Sequence, residues 1–342
     1  MIKFVEDINV TKENKEKYID GINNLIEKRQ QELAKNRSEY VKDIFNDAEK
    51  YRDELKNMLG WPLVNHFDDK KSSVKSTKIC EQEHYTIYRM QFEILGGLTM
   101  SGIYYEVKGY SKKPLVIVQH GGLGTPELIS GFYEGSTYNY NDMLDRVLVR
   151  GAHVFAPQLL LWDEEKYGVK HDRANVDARL KRCGSSITAV ELYGLIKVID
   201  YFENKDNVAN FGMVGLSYGG FYTLYLSAIE KRIKSAISCA FFNTREKAVY
   251  SDWVWANMAE KFDDAEIAAL TYPRKLCIEI ANNDELFDVK YGIDSFNKLL
   301  DLCKCVGTDW VNLIVFDGVH EFCKDDAPIE GLVKYLYELK TE

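Results

Sequence analysis

Over residues 11–59 apolar side chains recur at Ile19, Ile22, Ile26, Leu33, Tyr40, Ile44, Ala48, Tyr51, Leu55 and Met58, with charged residues between them. Steps of three and four place these positions on one face of a helix. The pattern predicts one long helix or two shorter ones with a single apolar stripe. Such a stripe needs cover, which the main body or a second subunit would supply; heptads are not sustained enough for a free coiled coil. Trp61-Pro62 ends the run, because the residue before a proline is pushed out of helical geometry. The period then shortens to two. Residues 84–94 (HYTIYRMQFEI) and 99–107 (TMSGIYYEV) alternate and are joined across Gly96-Gly97, which predicts a hairpin. Short apolar runs follow at 114–119, 152–157, 211–215, 233–240, 275–281 and 311–316. Helix-like stretches near 139–150, 187–202, 218–229, 289–302 and 329–339 stand among them. Apolar strands alternating with helices predict an α/β fold, a mostly parallel eight-stranded sheet with helices on both faces, its first two strands antiparallel. The chain divides into an N-terminal helical extension, 1–75, and an α/β domain, 76–342.

Composition narrows the partners. The 342 residues are 46% hydrophobic and 28% charged, with a formal net charge of -9, which argues against nucleic acid and anionic membranes. No apolar run approaches the length of a membrane span. The opening residues, MIKFVEDINV, lack the apolar core of a signal peptide, so a cytoplasmic location is expected. Seven cysteines, an odd number, then read as reduced thiols. The closest pair, Cys303 and Cys305, has no second Cys/His pair at ligand spacing, so neither a metal nor another cofactor is expected.

Candidate chemistry centres on "MVGLSYGGFYTLYLSA", where Ser217 stands between Gly215 and Gly219. It directly follows an apolar strand and opens a helix. On such a turn the backbone is strained and the hydroxyl is lifted to the carboxyl edge of the sheet, while any side chain at the flanking glycines would collide with the adjacent strand and helix. A serine hydroxyl needs a base, and the base an orienting acid. With this turn the order along the chain is Ser, acid, His. Of the six histidines only His320, in "FDGVHEF" past the last predicted strand, follows Ser217. The acid falls to Asp284, just beyond the run "KLCIEIA", with Asp288 as fallback; Asp317 is too close to His320 in sequence. The expected oxyanion donors are the N–H of Tyr218 and one in "QHGGLGTPE", placed at Gly122. His120 reads as a support for that loop, and Glu127 as a structural carboxylate tied to the backbone.

These stretches, together with "RIKSAISCAFF" and "AALTYPRKLCIEIANNDELF", resemble the α/β-hydrolase superfamily. The likeness runs from about Tyr51 to the C-terminus and points to the branch holding dienelactone hydrolases, prolyl-oligopeptidase-type peptidases and acetyl-xylan-esterase-like carbohydrate esterases. It implies that residues 76–342 form an α/β-hydrolase catalytic domain. The implied reaction is hydrolysis of a carboxylic ester through a Ser-His-Asp triad and an acyl-enzyme, on a small acyl (acetyl) ester of a sugar or similar small molecule. Departures shape this expectation. Ser217 stands where dienelactone hydrolases use cysteine. Tyr218 stands where cephalosporin-deacetylating esterases carry Gln, and the arginine that glucuronoyl esterases place beside the nucleophile is absent. A prolyl-oligopeptidase-like peptidase is the alternative, though no β-propeller precedes the domain, and a non-catalytic scaffold on the same fold would have no reason to keep the triad. Trp162, with Asp163 and Glu164, and the later aromatics Tyr250, Trp253 and Trp255 could line a sugar pocket or simply pack under the inserts 158–186 and 241–274. A homo-oligomer joined through the N-terminal helices completes the expected partners.

Overall fold

The computed structural model describes residues 3–61, 73–133, 139–161, 169–247 and 250–340. One sheet holds nine strands: β1 (Val74–Glu81), β2 (Tyr85–Leu95), β3 (Leu98–Val107), β4 (Lys113–Gln119), β5 (His153–Pro157), β6 (Val208–Leu216), β7 (Ile233–Cys239), β8 (Lys275–Ala281) and β9 (Val311–Phe316). Their order is β1-β2-β3-β5-β4-β6-β7-β8-β9. The pairs from β1 to β3, and β3 with β5, are antiparallel; β4 to β9 run parallel.

Alternate residues of the central strands serve opposite faces. Leu115 and Ile117 of β4 enter the core that contains Phe92, Phe155, Phe202 and Phe221, whereas Val116 and Val118 enter the core that contains Val154, Met143 and Leu336. Burial on both sides is why these strands read as unbroken apolar runs. The expected eight strands become nine because β1 (VKSTKICE) is an edge strand with almost every residue exposed. Nothing requires an apolar face there, and two lysines and two polar hydroxyls blunt the edge.

The helices are α1 (Ile8–Tyr40), α2 (Ala48–Leu59), α3 (Pro126–Ile129), α4 (Met143–Leu148), α5 (Arg173–Arg182), α6 (Ile187–Glu203), α7 (Tyr218–Ile229), α8 (Met258–Lys261), α9 (Asp264–Ala269), α10 (Val289–Leu302) and α11 (Ala327–Glu338). Helices α2, α6, α7, α9 and α10 cover the first core; α4 and α11 cover the second.

The N-terminal stripe divides in two. From Ile44 onward it joins the core: Ile44, Tyr51, Leu55 and Leu59 are buried, and the Arg52 guanidinium donates to the carbonyls of Ala228 (2.9 Å) and Leu270 (2.8 Å). Residues 3–29 are all exposed, including Ile19, Ile22, Leu25 and Ile26. The main body therefore does not cover the first part of the stripe. What anchors α1 is a charge. Arg37, buried, donates to Glu266 (3.2 Å) and to the carbonyl of Ala259 (2.7 Å), and lies 3.7 Å from Asp263.

Candidate active site

β6 passes into α7 through Ser217, whose backbone sits at φ 60°, ψ -118°. A positive φ on a residue with a side chain costs on the order of 1–3 kcal/mol and persists only where the surroundings impose it. Here the Ser217 N–H donates to the carbonyl of Cys239 at the end of β7 (2.9 Å), and the Ser217 carbonyl accepts from Phe221 (2.9 Å) to start α7. Only glycine fits on either side. A Cβ on Gly215 would lie 2.3 Å from the carbonyl oxygen of Gly219, and one on Gly219 would lie 2.2 Å from that of Gln119. The outcome is a serine at a helix N-terminus, at the carboxyl edge of a parallel sheet.

His320 and Asp284 meet at the same edge. Asp284 follows β8, and its side chain is fully buried. Its Oδ1 accepts from the N–H groups of Leu286 (2.8 Å) and Phe287 (3.1 Å), and its Oδ2 lies 2.9 Å from His320 Nδ1. The ring of Phe287 stacks on the imidazole at 5.8 Å. The fallback acid is engaged elsewhere: Asp288 caps α10 through the N–H of Lys290 (2.8 Å). Cys239 joins this loop to the serine turn. Its carbonyl holds Ser217, and its thiol donates to the carbonyl of Glu321, the residue after His320 (3.4 Å).

The loop after β4 runs alongside. Gly121 N–H donates to the hydroxyl of Tyr140 (2.9 Å) and Gly124 N–H to the carbonyl of Gly121 (3.1 Å), so neither is the donor expected of this loop. His120 braces the loop. It is fully buried, and burial pushes its pKa down to about 4, so the ring is neutral. Nδ1 faces the carbonyl of Gly121 (2.9 Å) and Nε2 accepts from the N–H of Leu159 (3.4 Å), tying the β4 loop to the segment after β5. Glu127 differs from expectation: its carboxylate pairs with the Arg89 guanidinium on β2 rather than with the backbone.

The Tyr218 side chain anchors a buried polar cluster. Its hydroxyl lies 3.1 and 3.0 Å from the two carboxylate oxygens of Asp252, and Asp252 also accepts from Arg173 Nε (2.6 Å). Arg173 stacks over the Tyr218 ring at 5.3 Å and donates to Glu191 (3.2 Å) and to the Tyr222 hydroxyl (2.8 Å), which in turn bonds Glu191. Arg173 comes from the first insert and Asp252 from the second, so both inserts close on the residue beside Ser217. Sequence reading missed this buried cluster. Its one signal was Asp252, a lone acid among the aromatics of "YSDWVWA".

Of the two readings open for the insert aromatics, pocket wall or packing, the described tryptophans take the second. Trp253 is 1% exposed and packs among Tyr218, Phe241 and Tyr250; Trp255 lies against Phe221 and Tyr225. Both are core. Trp162, Asp163 and Glu164 lie outside the described residues. No group of three or more His, Cys, Asp or Glu suited to a metal occurs among the described residues.

No family model and no curated protein matches this sequence. Solved structures do. The chain is similar to Methylesterase BT1017 (TM-score 0.61, 16% identity, 85% of this chain but only 63% of that one). It is similar to acetyl xylan esterase 1 from Thermoanaerobacterium sp. JW/SL YS485 (TM-score 0.56, 15% identity, 82% and 93% covered). A glucuronoyl esterase from Solibacter usitatus matches with a TM-score of 0.60 and 14% identity over 84% and 91% of the two chains. The strand order, the strained serine after β6 and these likenesses lead to one conclusion: the chain has the α/β-hydrolase fold.

Proposed function

We propose that this protein is a carboxylic ester hydrolase with Ser217 as nucleophile, His320 as general base and acid, and Asp284 as the group that orients the imidazole. The observation that carries the reading is the 2.9 Å contact between His320 Nδ1 and a buried Asp284 carboxylate, at the sheet edge that also bears the strained Ser217. A proton held on Nδ1 leaves the Nε2 lone pair to accept the serine proton. Ser217 Oγ bonds to the ester carbonyl carbon, and the carbonyl π electrons move onto oxygen. The N–H groups of Gly122 and Tyr218 hold that oxyanion. Collapse expels the alcohol, which takes the proton from His320, and water repeats the sequence to release the acid. A small ester, such as an acetyl ester of a sugar or similar molecule, is the substrate class suggested by the neighbours' names. All seven cysteines are free, which suits a reducing cytoplasm.

The reading extends to the exposed part of α1, whose occupant we take to be a second copy of this chain. Although the chain carries -9 overall, residues 11–32 hold five basic and five acidic side chains. Two such helices meet without repulsion, and a stripe containing Ile19, Ile22 and Ile26 would otherwise remain in water.

The decisive experiment replaces Ser217 by Ala. Turnover of p-nitrophenyl acetate should fall by about 10⁴- to 10⁶-fold, as for other triads, with near-normal folding. Covalent labelling by a fluorophosphonate should disappear. A variant keeping half its activity ends the serine-hydrolase reading.

A further inference from the structure

We infer that the ester handled at Ser217 carries a hydrocarbon group of several carbons, received by an apolar cavity beside the β4 loop. The inference rests on the hydrolase reading above; it keeps the small ester and puts an apolar group where the neighbours' names suggest a sugar. The cavity has a volume of about 480 Å³, within the range of small-molecule sites. Gly124 and Thr125, two and three residues past Gly122, form part of its wall. The cavity therefore abuts the loop that faces the reacting carbonyl.

Its chemistry is aliphatic. Ile94 and Met100 come from the β2–β3 hairpin, Leu159 and Leu161 from the segment after β5, and Ile187 and Val190 from α6. Exposed Leu98 and Val169 continue the same surface outward. No Phe, Tyr or Trp ring stands among the described lining residues to stack on a sugar. Of the six polar side chains that line it, Thr99 is exposed and Ser101 partly exposed, and the other four already have protein partners. Gln158 Nε2 donates to the carbonyl of Leu159 (2.7 Å), and Thr125 Oγ1 accepts from Leu128 (3.2 Å). Glu191 accepts from Leu160 N–H (2.7 Å) and Arg173 (3.2 Å), while His171 Nε2 is in contact with the carbonyl oxygen of Leu161. A sugar hydroxyl placed among the aliphatic side chains would give up water and find Gln158, Thr125, Glu191 and His171 already engaged, which disfavours it. A hydrocarbon chain gives up nothing and is driven in by burial.

The group could belong to the acyl or the alcohol side of the ester, and two substrate series separate them. In one, p-nitrophenyl esters run from acetate to decanoate; in the other, alkyl acetates run from methyl to octyl. On the unmodified protein kcat/KM should rise along one series, by up to about fourfold per methylene until the cavity is full. The rising series identifies the side. Val190→Phe, which narrows the cavity, should pull the hexanoyl-to-acetyl or hexyl-to-methyl ratio back toward one. If both series are flat or fall from their smallest member while Ser217 still labels with fluorophosphonate, the hydrocarbon inference is overturned and the hydrolase reading stands. If no ester turns over and Ser217 does not label, both are overturned. The wild-type series decides the question even if Val190→Phe does not fold.

Discussion

Asp284 presents Oδ2 to His320 and Oδ1 to two backbone N–H groups, whereas Asp288, four residues on, caps α10. Asparagine accepts the cap's hydrogen bond as well as aspartate does, so Asp288→Asn should change turnover less than about tenfold. Asp284→Asn could turn the ring to the wrong tautomer, which in a comparable triad lowers turnover about 10⁴-fold. Measuring both variants on one activated acetyl ester gives the ordering, and the reverse ordering removes Asp284 from the proposed triad. A second carboxyl makes a pH prediction. Glu279, on β8, is fully buried, and burial raises its pKa from 4.5 to about 7. Between those values the folded chain keeps a proton that the unfolded chain has released. The stability this gives is complete below pH 4.5 and is lost as pH rises through about 7, a change on the order of 3 kcal/mol. Glu279→Gln cannot ionise, so its denaturant stability should decline less than wild type from pH 5 to pH 8. Parallel profiles would show that Glu279 is not the group responsible. The gathering of Ser217, Asp284 and His320 at one sheet edge was legible in the chain, because a strained turn and the order of strands after it leave few candidate positions. Arg173, Glu191 and Asp252 could not, because buried charges find partners across 18 and 79 residues and leave no periodic trace.

At the scale of elements, the legible strands carry an apolar run, as the central ones buried on both faces must, or the alternation of β2 and β3. β1 escaped because an edge strand in water has no such requirement. Helix α1 shows the opposite case: a clear apolar period that the fold of one chain leaves uncovered. Removing residues 3–29 should therefore preserve the fold, since the anchors Arg37, Tyr51 and Leu55 remain. The proposed self-association predicts a larger mass for the full chain than for the truncated one in light scattering, with the truncated protein monomeric. A full-length chain that is monomeric at every concentration tested would overturn the second-copy occupant. The aromatic inserts were ambiguous in sequence for a physical reason. Tryptophans suit a ligand face and a packed core equally well, and only the neighbours of Trp253 decide for the core.

Across the whole molecule, Ser217, Asp284 and His320 stand at the ends of β6, β8 and β9, on the same side of the sheet. The network of Arg173 and Asp252 closes the two inserts over Tyr218, so the interior side of the serine turn is held from several directions. The histidine side is held differently. Among the described residues β9 is the last strand of the sheet and pairs with β8 alone, and of its residues only Val311 is buried. Margins of this kind open at lower free energy than the centre of a sheet. In a denaturant titration, detachment of this margin would separate His320 from Asp284 while the tryptophans at 253 and 255 stay packed. With Trp310, which adjoins β9, replaced by Phe, esterase activity should then vanish at a lower urea concentration than the tryptophan fluorescence transition; coincident curves would show that the margin melts with the rest. A molecule built this way would carry its own early warning, falling silent as a catalyst before it is lost as a fold.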